Sequence, residues 1–409
     1  MSGPANARTA VRAGHAFDGE CDVPGGLTVL VVDGRITGVQ PAATPPPDGW
    51  HVMDFPHATV LPGLIDTHVH LCGDSKNGAL DRLGGIGDDE LGAVIEEGLR
   101  RHVAAGVTTV RDLGDRRWAV LERRDRAVPG DACPTIVAAG PPITSVRGHC
   151  WNMGGEARGA AELRAAVKLR SERGVDVVKV MASGGVATQG TDVMHCQFTL
   201  DEMRLVVDEA HAAGLAVTAH AHGLPAVEQA IAVGADGIEH CSFMTESGVR
   251  ASAELFDQLA RQNTAVCPTL GVAAGVTPPP AVLATIKRLG LTLEDALALR
   301  MRVNGDMHRA GVRLVSGSDG GISTGKAHGI LPRAVEDLVT GGIPAADALA
   351  SATSVAAHEC GLGARKGRLL DGYDADLLLV EGDAVRDIGV LERVIAVMVG
   401  GRWAIGQPA

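Results

Sequence analysis

Aromatic side chains are scarce: they make up 2% of the 409 residues, and Tyr373 is the single tyrosine. Aliphatic residues must therefore fill the core, and base stacking on aromatic platforms is a poor candidate activity. Positive charge is also short, with 37 Lys and Arg against 49 Asp and Glu, and the formal charge of −12 disfavours a polyanionic partner. No apolar run reaches the roughly 18 residues needed to cross a bilayer, and residues 1–8 lack the apolar stretch of a secretory signal. The expectation is a cytoplasmic protein with no membrane or nucleic-acid partner. The eight cysteines contain no Cys-x-x-Cys pair, which fits reduced thiols rather than disulfides or a structural zinc knuckle. No Gly-x-Gly-x-x-Gly follows an early strand, and neither a phosphate-cradling loop nor a serine or cysteine nucleophile elbow is expected.

What is present is alternation. The opening residues carry short apolar runs at 10–14, 27–32 and 35–39, with Asp33-Gly34 between the last two as a hairpin signal, followed by a proline-rich loop at 41–47. A similar pattern returns at 376–380 and 394–399. Neither end could bury a core alone, so 1–59 and 364–409 are expected to form one small composite β-sandwich domain. Between them, strand-like runs begin at Val60, Val107, Thr135, Val175, Ala216, Gly237, Thr264 and Val312. Helical candidates at 90–105, 160–173, 199–213, 248–263 and 291–310 separate most of them, and several end on a glycine suited to a left-handed cap, such as Gly106, Gly174 and Gly214. Eight strands with intervening helices predict an α/β fold, a (β/α)8 TIM barrel over 60–363.

In such a barrel the working residues lie at the C-terminal ends of the strands. The first run ends Asp66-Thr67-His68-Val69-His70, and strand alternation puts His68 and His70 on one face. The fourth contains Lys179 inside Val-Asp-Val-Val-Lys-Val-Met, where a charged amine is costly unless neutralised or paired. A neutral amine there can take up CO2 as a carbamate, whose two oxygens bridge metal ions. The fifth offers His220 and His222, the sixth ends in His240, and the eighth ends in Ser318-Asp319-Gly320. Each has a bland explanation, but their coincidence at strand ends points to a metal site. Imidazoles and carboxylates suit two divalent cations such as Zn2+, which bring the pKa of bound water from 15.7 to about 7. Asp319 is placed to take a proton from the attacking hydroxide and pass it to a departing nitrogen.

The run Pro62-Gly63-Leu64-Ile65-Asp66-Thr67-His68-Val69-His70, together with Lys179, His220, His240 and Ser318-Asp319, resembles the amidohydrolase superfamily, and specifically its binuclear members with a carboxylated lysine. The likeness spans nearly the whole chain, and Val178–Gly185 and Thr218–Gly223 are most similar to the subgroup of Xaa-Pro dipeptidases, metallocarboxypeptidases and imidazolonepropionase-like proteins. The resemblance implies that His68 and His70 hold one metal with Asp319, that His220 and His240 hold the other, and that carboxylated Lys179 bridges them. It demotes deamination, because His222 and Gly223 stand where mononuclear deaminases keep a glutamate.

Specificity should lie in the loops. Arg147 could grip a carboxylate, His149 could polarise a carbonyl, and His222 and His328 are further pocket candidates. The subgroup's Gly-Gly-His-Gly reads Arg147-Gly148-His149-Cys150 here. The expected activity is hydrolysis of an amide bond in a small peptide-like or N-acyl amino acid, by a homo-oligomer. Ring opening of a cyclic amide or a lactone is the alternative enzyme, and a non-catalytic metal-binding protein is the rival from another class.

Overall fold

The computed structural model describes residues 8–128 and 130–406 as a mixed α/β protein. One seven-stranded sheet joins the two ends of the chain, in the order Arg402–Ile405, Val394–Val399, Leu377–Glu381, His51–Pro62, Thr9–Ala16, Leu27–Val32 and Arg35–Pro41. The expected hairpin is present: Asp33 (φ 49°) and Gly34 (φ 80°) both take the left-handed conformation of a tight two-residue turn. Val11, Val29, Ile36, Leu377, Leu379 and Met398 share one apolar cluster. Segments from opposite ends of the sequence thus bury one another, each such side chain contributing about 1.5–3 kcal/mol. The expected two-layer sandwich is carried as this single sheet.

The apolar run expected as one strand from Val60 is two. Val60, Leu61 and Pro62 pair with Leu379, Leu378 and Leu377 in the seven-stranded sheet, and Leu64–Val69 starts a new one after Gly63. A Cβ at Gly63 would lie 2.3 Å from the Thr108 side chain, so only glycine lets the backbone cross there.

Leu64–Val69, Val107–Asp112 and Thr135–Ala138 form a parallel three-stranded sheet. Val178–Met181, Val217–Gly223, Gly237–Thr245 and Ala265–Cys267 form the parallel part of another. Backbone hydrogen bonds span the gaps between them. On one side the Asp176 N–H donates to Ala138 O (3.0 Å) and the Ile143 N–H to Lys179 O (2.8 Å). On the other, Val266 N–H donates to Arg313 O (2.8 Å), Thr67 N–H to Ser316 O (3.0 Å) and Asp319 N–H to His68 O (2.7 Å). Residues 312–319, expected as a strand, make a single isolated bridge at Leu314, and a second follows at Gly320. The left-handed φ of 58° at Asp319 interrupts any regular ladder there.

The helices follow the expected alternation. Leu200–Ala212 opens on a capping box of Thr199 with Glu202 and is followed by Gly214 at φ 74°. The helix expected over 248–263 is shorter, Ala253–Gln262, because Ser252 caps it by accepting from the Leu255 N–H. No helix among the described residues is long and apolar enough to cross a membrane.

Candidate metal centre

His68 and His70 emerge on one face of Leu64–Val69, their ring centroids 5.3 Å apart. Their Nε2 atoms lie 3.5 and 3.4 Å from the same Asp319 Oδ1. His70 Nδ1 faces the Gly114 carbonyl at 3.2 Å, which can only accept, so Nδ1 carries the proton. A neutral His70 then directs a bare Nε2 lone pair at a carboxylate. Two facing acceptors require a proton or a metal cation between them. Without a metal the proton is favoured: burial opposes charge on His70, but the Asp319 hydrogen bond and charge raise its pKa.

Opposite stand His220, His222 and His240, with ligand atoms all within 4.8 Å of one another. The rings of His222 and His240 stack at 4.3 Å. His220 Nε2 faces the Gly184 carbonyl at 3.1 Å, which leaves Nδ1 free as a ligand. Burial keeps these imidazoles neutral. It lowers His222 to about 3 and His220 and His240 well below the ordinary value, and neighbouring positive groups add to the effect.

Lys179 lines the same cavity at 1% exposure, and among the described residues its Nζ has no hydrogen-bond partner. Burial drives its pKa down against the opposing pull of Glu239 and Asp319. A buried ammonium with three unmet donors is costly. A neutral amine that becomes a ligand removes that cost. These His and Asp groups therefore fit divalent metal.

A family model described as "Amidohydrolase family" matches residues 59–404. The chain belongs to the amidohydrolase family. This amidohydrolase is 27% identical to ochratoxinase of Aspergillus niger over 376 residues, covering 83% of this chain and 73% of that protein. It is 27% identical to imidazolonepropionase of Salinispora arenicola over 265 residues, 58% of this chain and 62% of that one. Its fold matches the crystal structure of a Xaa-Pro dipeptidase with bound methionine at a TM-score of 0.83 and 27% identity, over 98% of this chain and 100% of the other. The amidohydrolase is a hydrolase acting on carbon–nitrogen bonds.

Sequence reasoning missed what lies behind the ligands. Glu239 Oε2 holds His68 Nδ1 at 2.7 Å, while its Oε1 accepts from Thr218 Oγ1 at 2.6 Å and Arg111 Nη2 at 3.2 Å. Arg111 also reaches Glu359 at 3.3 Å and donates to Thr67 O at 2.7 Å. Burial opposes ionisation of Glu239, but the hydrogen bond to His68 and the charge of Arg111 hold its carboxyl below the usual range. Removing one partner of such a buried pair costs about 3–5 kcal/mol. The available signal was a charged residue inside each apolar run, Ile-Glu-His and Val-Arg-Asp. Backbone strain also gathers here, with φ of 67° at His240, 48° at Thr269 and 58° at Asp319.

The other expected residues divide. His149 lines the cavity, its ring 4.5 Å from that of His220, and burial lowers it to about 3. Thr188 Oγ1 accepts from the Cys150 N–H at 3.0 Å and stands 2.9 Å from His149 Nδ1. His222 lines the cavity too and stands in one group with His220 and His240. Arg147 is exposed, sits at φ 56° and is absent from the cavity lining, so its expected role is not supported. His328 lies outside the lining of this cavity and faces a separate pocket beside Arg101 and Ile330: Nε2 meets Gly73 O at 2.8 Å and Nδ1 meets His102 Nε2 at 3.1 Å. The expectation of no nucleophile elbow needs one correction of spelling. Gly321-Ile322-Ser323-Thr324-Gly325 has the Gly-x-Ser-x-Gly spacing, but no strand leads into it and the next helix begins only at Leu331. It is a loop turned by the Lys326 N–H on Ser323 O, without the sharp strand-to-helix bend of an elbow.

Proposed function

We propose that this amidohydrolase cleaves the amide bond of a small peptide-like or N-acyl amino acid substrate at a centre of two divalent cations, most simply Zn2+. The observation that carries the reading is the pairing of facing acceptors, His68, His70 and Asp319, with the unpartnered buried amine of Lys179. His68, His70 and Asp319 would hold one ion, His220 and His240 the other, and Lys179, carboxylated by CO2, would bridge them. Forming the carbamate makes one N–C bond and releases one proton from the amine. When bound, the cations supply Lewis acidity, which acidifies water and polarises the substrate carbonyl. Asp319 accepts the proton of the attacking water and delivers it to the departing nitrogen. His149 faces the cavity and would donate to the carbonyl oxygen from Nε2, with Thr188 fixing Nδ1. The backbone links that join 135–143 to 176–181 and 312–319 to both 265–267 and 64–70 support a closed (β/α)8 barrel beneath the site. We further propose the division into that barrel and a composite end domain.

Ring opening of a cyclic amide is the second reading, favoured by the similarity to imidazolonepropionase. Assays of the zinc-loaded protein on dipeptides, N-acyl amino acids and cyclic imides test both. Turnover of the linear amides is expected. Turnover of the cyclic compounds alone would replace the first reading with the second.

A further inference from the structure

The cavity that holds the reacting groups measures about 40 Å³. Sites that take a small molecule run to about 300–1,000 Å³, and one water in the liquid already claims about 30 Å³. His68, His149, Lys179 and His220 are all buried. An amide substrate therefore reaches them only if part of the wall moves. Where loops contribute that wall it is apolar, made by Leu80, Val186, Ala187 and Ile322. Val186 and Ala187 belong to a loop that is built to move as one piece.

That loop, residues 183–197, follows the strand Val178–Met181. Its neck is closed by backbone bonds, the Gly184 N–H donating to His195 O at 3.2 Å and the Gln197 N–H to Ala182 O at 2.8 Å. Its tip, 185–191, is tied to itself: Thr191 Oγ1 accepts from the Gly185 N–H at 3.2 Å, and the Thr191 N–H donates to Thr188 O at 3.3 Å. Among the described residues, every hydrogen bond from the tip to the chain outside this loop runs through the Thr188 hydroxyl. That hydroxyl accepts from the Cys150 N–H at 3.0 Å, which leaves its own proton for His149 Nδ1 at 2.9 Å. The imidazole then carries its proton on Nε2, beside Cys150 Sγ at 3.5 Å. Gly185 permits the approach, because a Cβ there would lie 2.4 Å from the His149 ring. On the outer side Arg288 Nη1 donates to Asp192 at 3.0 Å and its Nε to Glu246 at 3.1 Å. Arg288 ends the helix Pro280–Arg288, which buries no residue, and exposed ion pairs of this kind hold weakly. The tip is thus fastened by one hydroxyl within and a loose latch without.

We infer that residues 185–191 are a lid over the metal cavity, and that Thr188 is the positioning residue through which closing the lid orients His149. The lid stands on the geometry of the loop, whereas the coupling rests on the proposed part of His149 in amide hydrolysis. With the lid open, substrate enters and the His149 ring is free to turn. Closing brings Val186 and Ala187 over the cavity and expels water, and Thr188 fixes Nδ1 so that the Nε2–H points at the substrate carbonyl. The donor is thereby assembled only around a bound substrate.

Cys150 is a built-in reporter, since its thiol lies beside His149 and both it and Cys267 are 1% exposed. The test follows alkylation of each cysteine by N-ethylmaleimide in the full-length, zinc-loaded protein, read by peptide mass spectrometry. Cys196→Ser is present throughout, because that thiol is exposed at the neck of the loop. Cys150 should react about tenfold faster than Cys267, which lies on the strand Ala265–Cys267. Thr188→Val should speed Cys150 by a further tenfold or so, the value of a lost hydrogen bond, and Thr188→Ser should restore the slower rate. Gly185→Ala, which keeps the hydroxyl but props the tip away from His149, should speed Cys150 as well. Circular dichroism and metal content verify that each variant is folded and loaded. A Cys150 rate equal to that of Cys267, or one unchanged by either substitution, would overturn the lid, and so would equal acceleration of both thiols. On the most rapidly hydrolysed compound of the panel above, Thr188→Val should lower kcat about tenfold with a smaller change in KM, and Thr188→Ser should recover most of it. Full kcat in Thr188→Val would overturn the coupling. If no compound is hydrolysed, the hydrolytic reading fails and the coupling with it, while the alkylation rates still decide the lid.

Discussion

The two sides of the ligand cluster differ in charge. His68 and His70 share a carboxylate, Asp319, whereas His220, His222 and His240 form a purely imidazole group. A divalent cation on the first side meets one negative charge. On the second it meets none, unless Lys179 becomes a carbamate and serves both. On the proposed reading the difference gives the lysine its use: as a neutral amine it supplies no negative charge where an anion is wanted, and as a carbamate it would balance the deficient side. The support behind the two sides differs as well. His68 is held by the ionised Glu239 with Arg111 behind it, while His240 and His222 lean on the neutral hydroxyls of Thr269 and Ser242.

This contrast can be broken at several points. Stripping the protein with a chelator should abolish turnover on both readings, and added zinc should restore it; activity that survives with metal content near zero would remove both sides from the chemistry. Asp319→Asn should lower kcat by about 10²–10⁴-fold, the range for a lost general base, and loosen metal at the carboxylate side first. Full kcat in that variant would show the proton travels elsewhere. Glu239→Gln should weaken metal binding by about 10–100-fold through His68, leaving the imidazole side less affected. A metal titration showing equal loss on both sides would refute the distinction. Arg147→Ala is the smallest change: kcat/KM should stay within about twofold, as expected for an exposed loop side chain.

Much of the site was legible because its residues sit where strand alternation and strand ends speak clearly. His68 and His70 read directly from a period of two, and Lys179 from the cost of an amine in an apolar run. The fold was legible for the same reason in the hairpin at Asp33-Gly34 and in the capped helices. The break at Gly63 was hidden because both strands it separates are apolar, and only the approach of Thr108 shows that a turn is needed. Residues 312–319 read as a strand because their composition is that of one, but Asp319 is bent out of the ladder to reach the histidines. Glu239 and Arg111 were visible as oddities without a partner, since their pairing joins different strands.

The most direct measurement is anomalous diffraction from zinc-loaded crystals grown with bicarbonate, with bound zinc counted on the same preparation. The expected result is two zinc ions per chain, one on His68, His70 and Asp319 and one on His220 and His240, with extra density on Lys179 Nζ joining them. A single zinc ion beside an unmodified Lys179 amine would contradict the account.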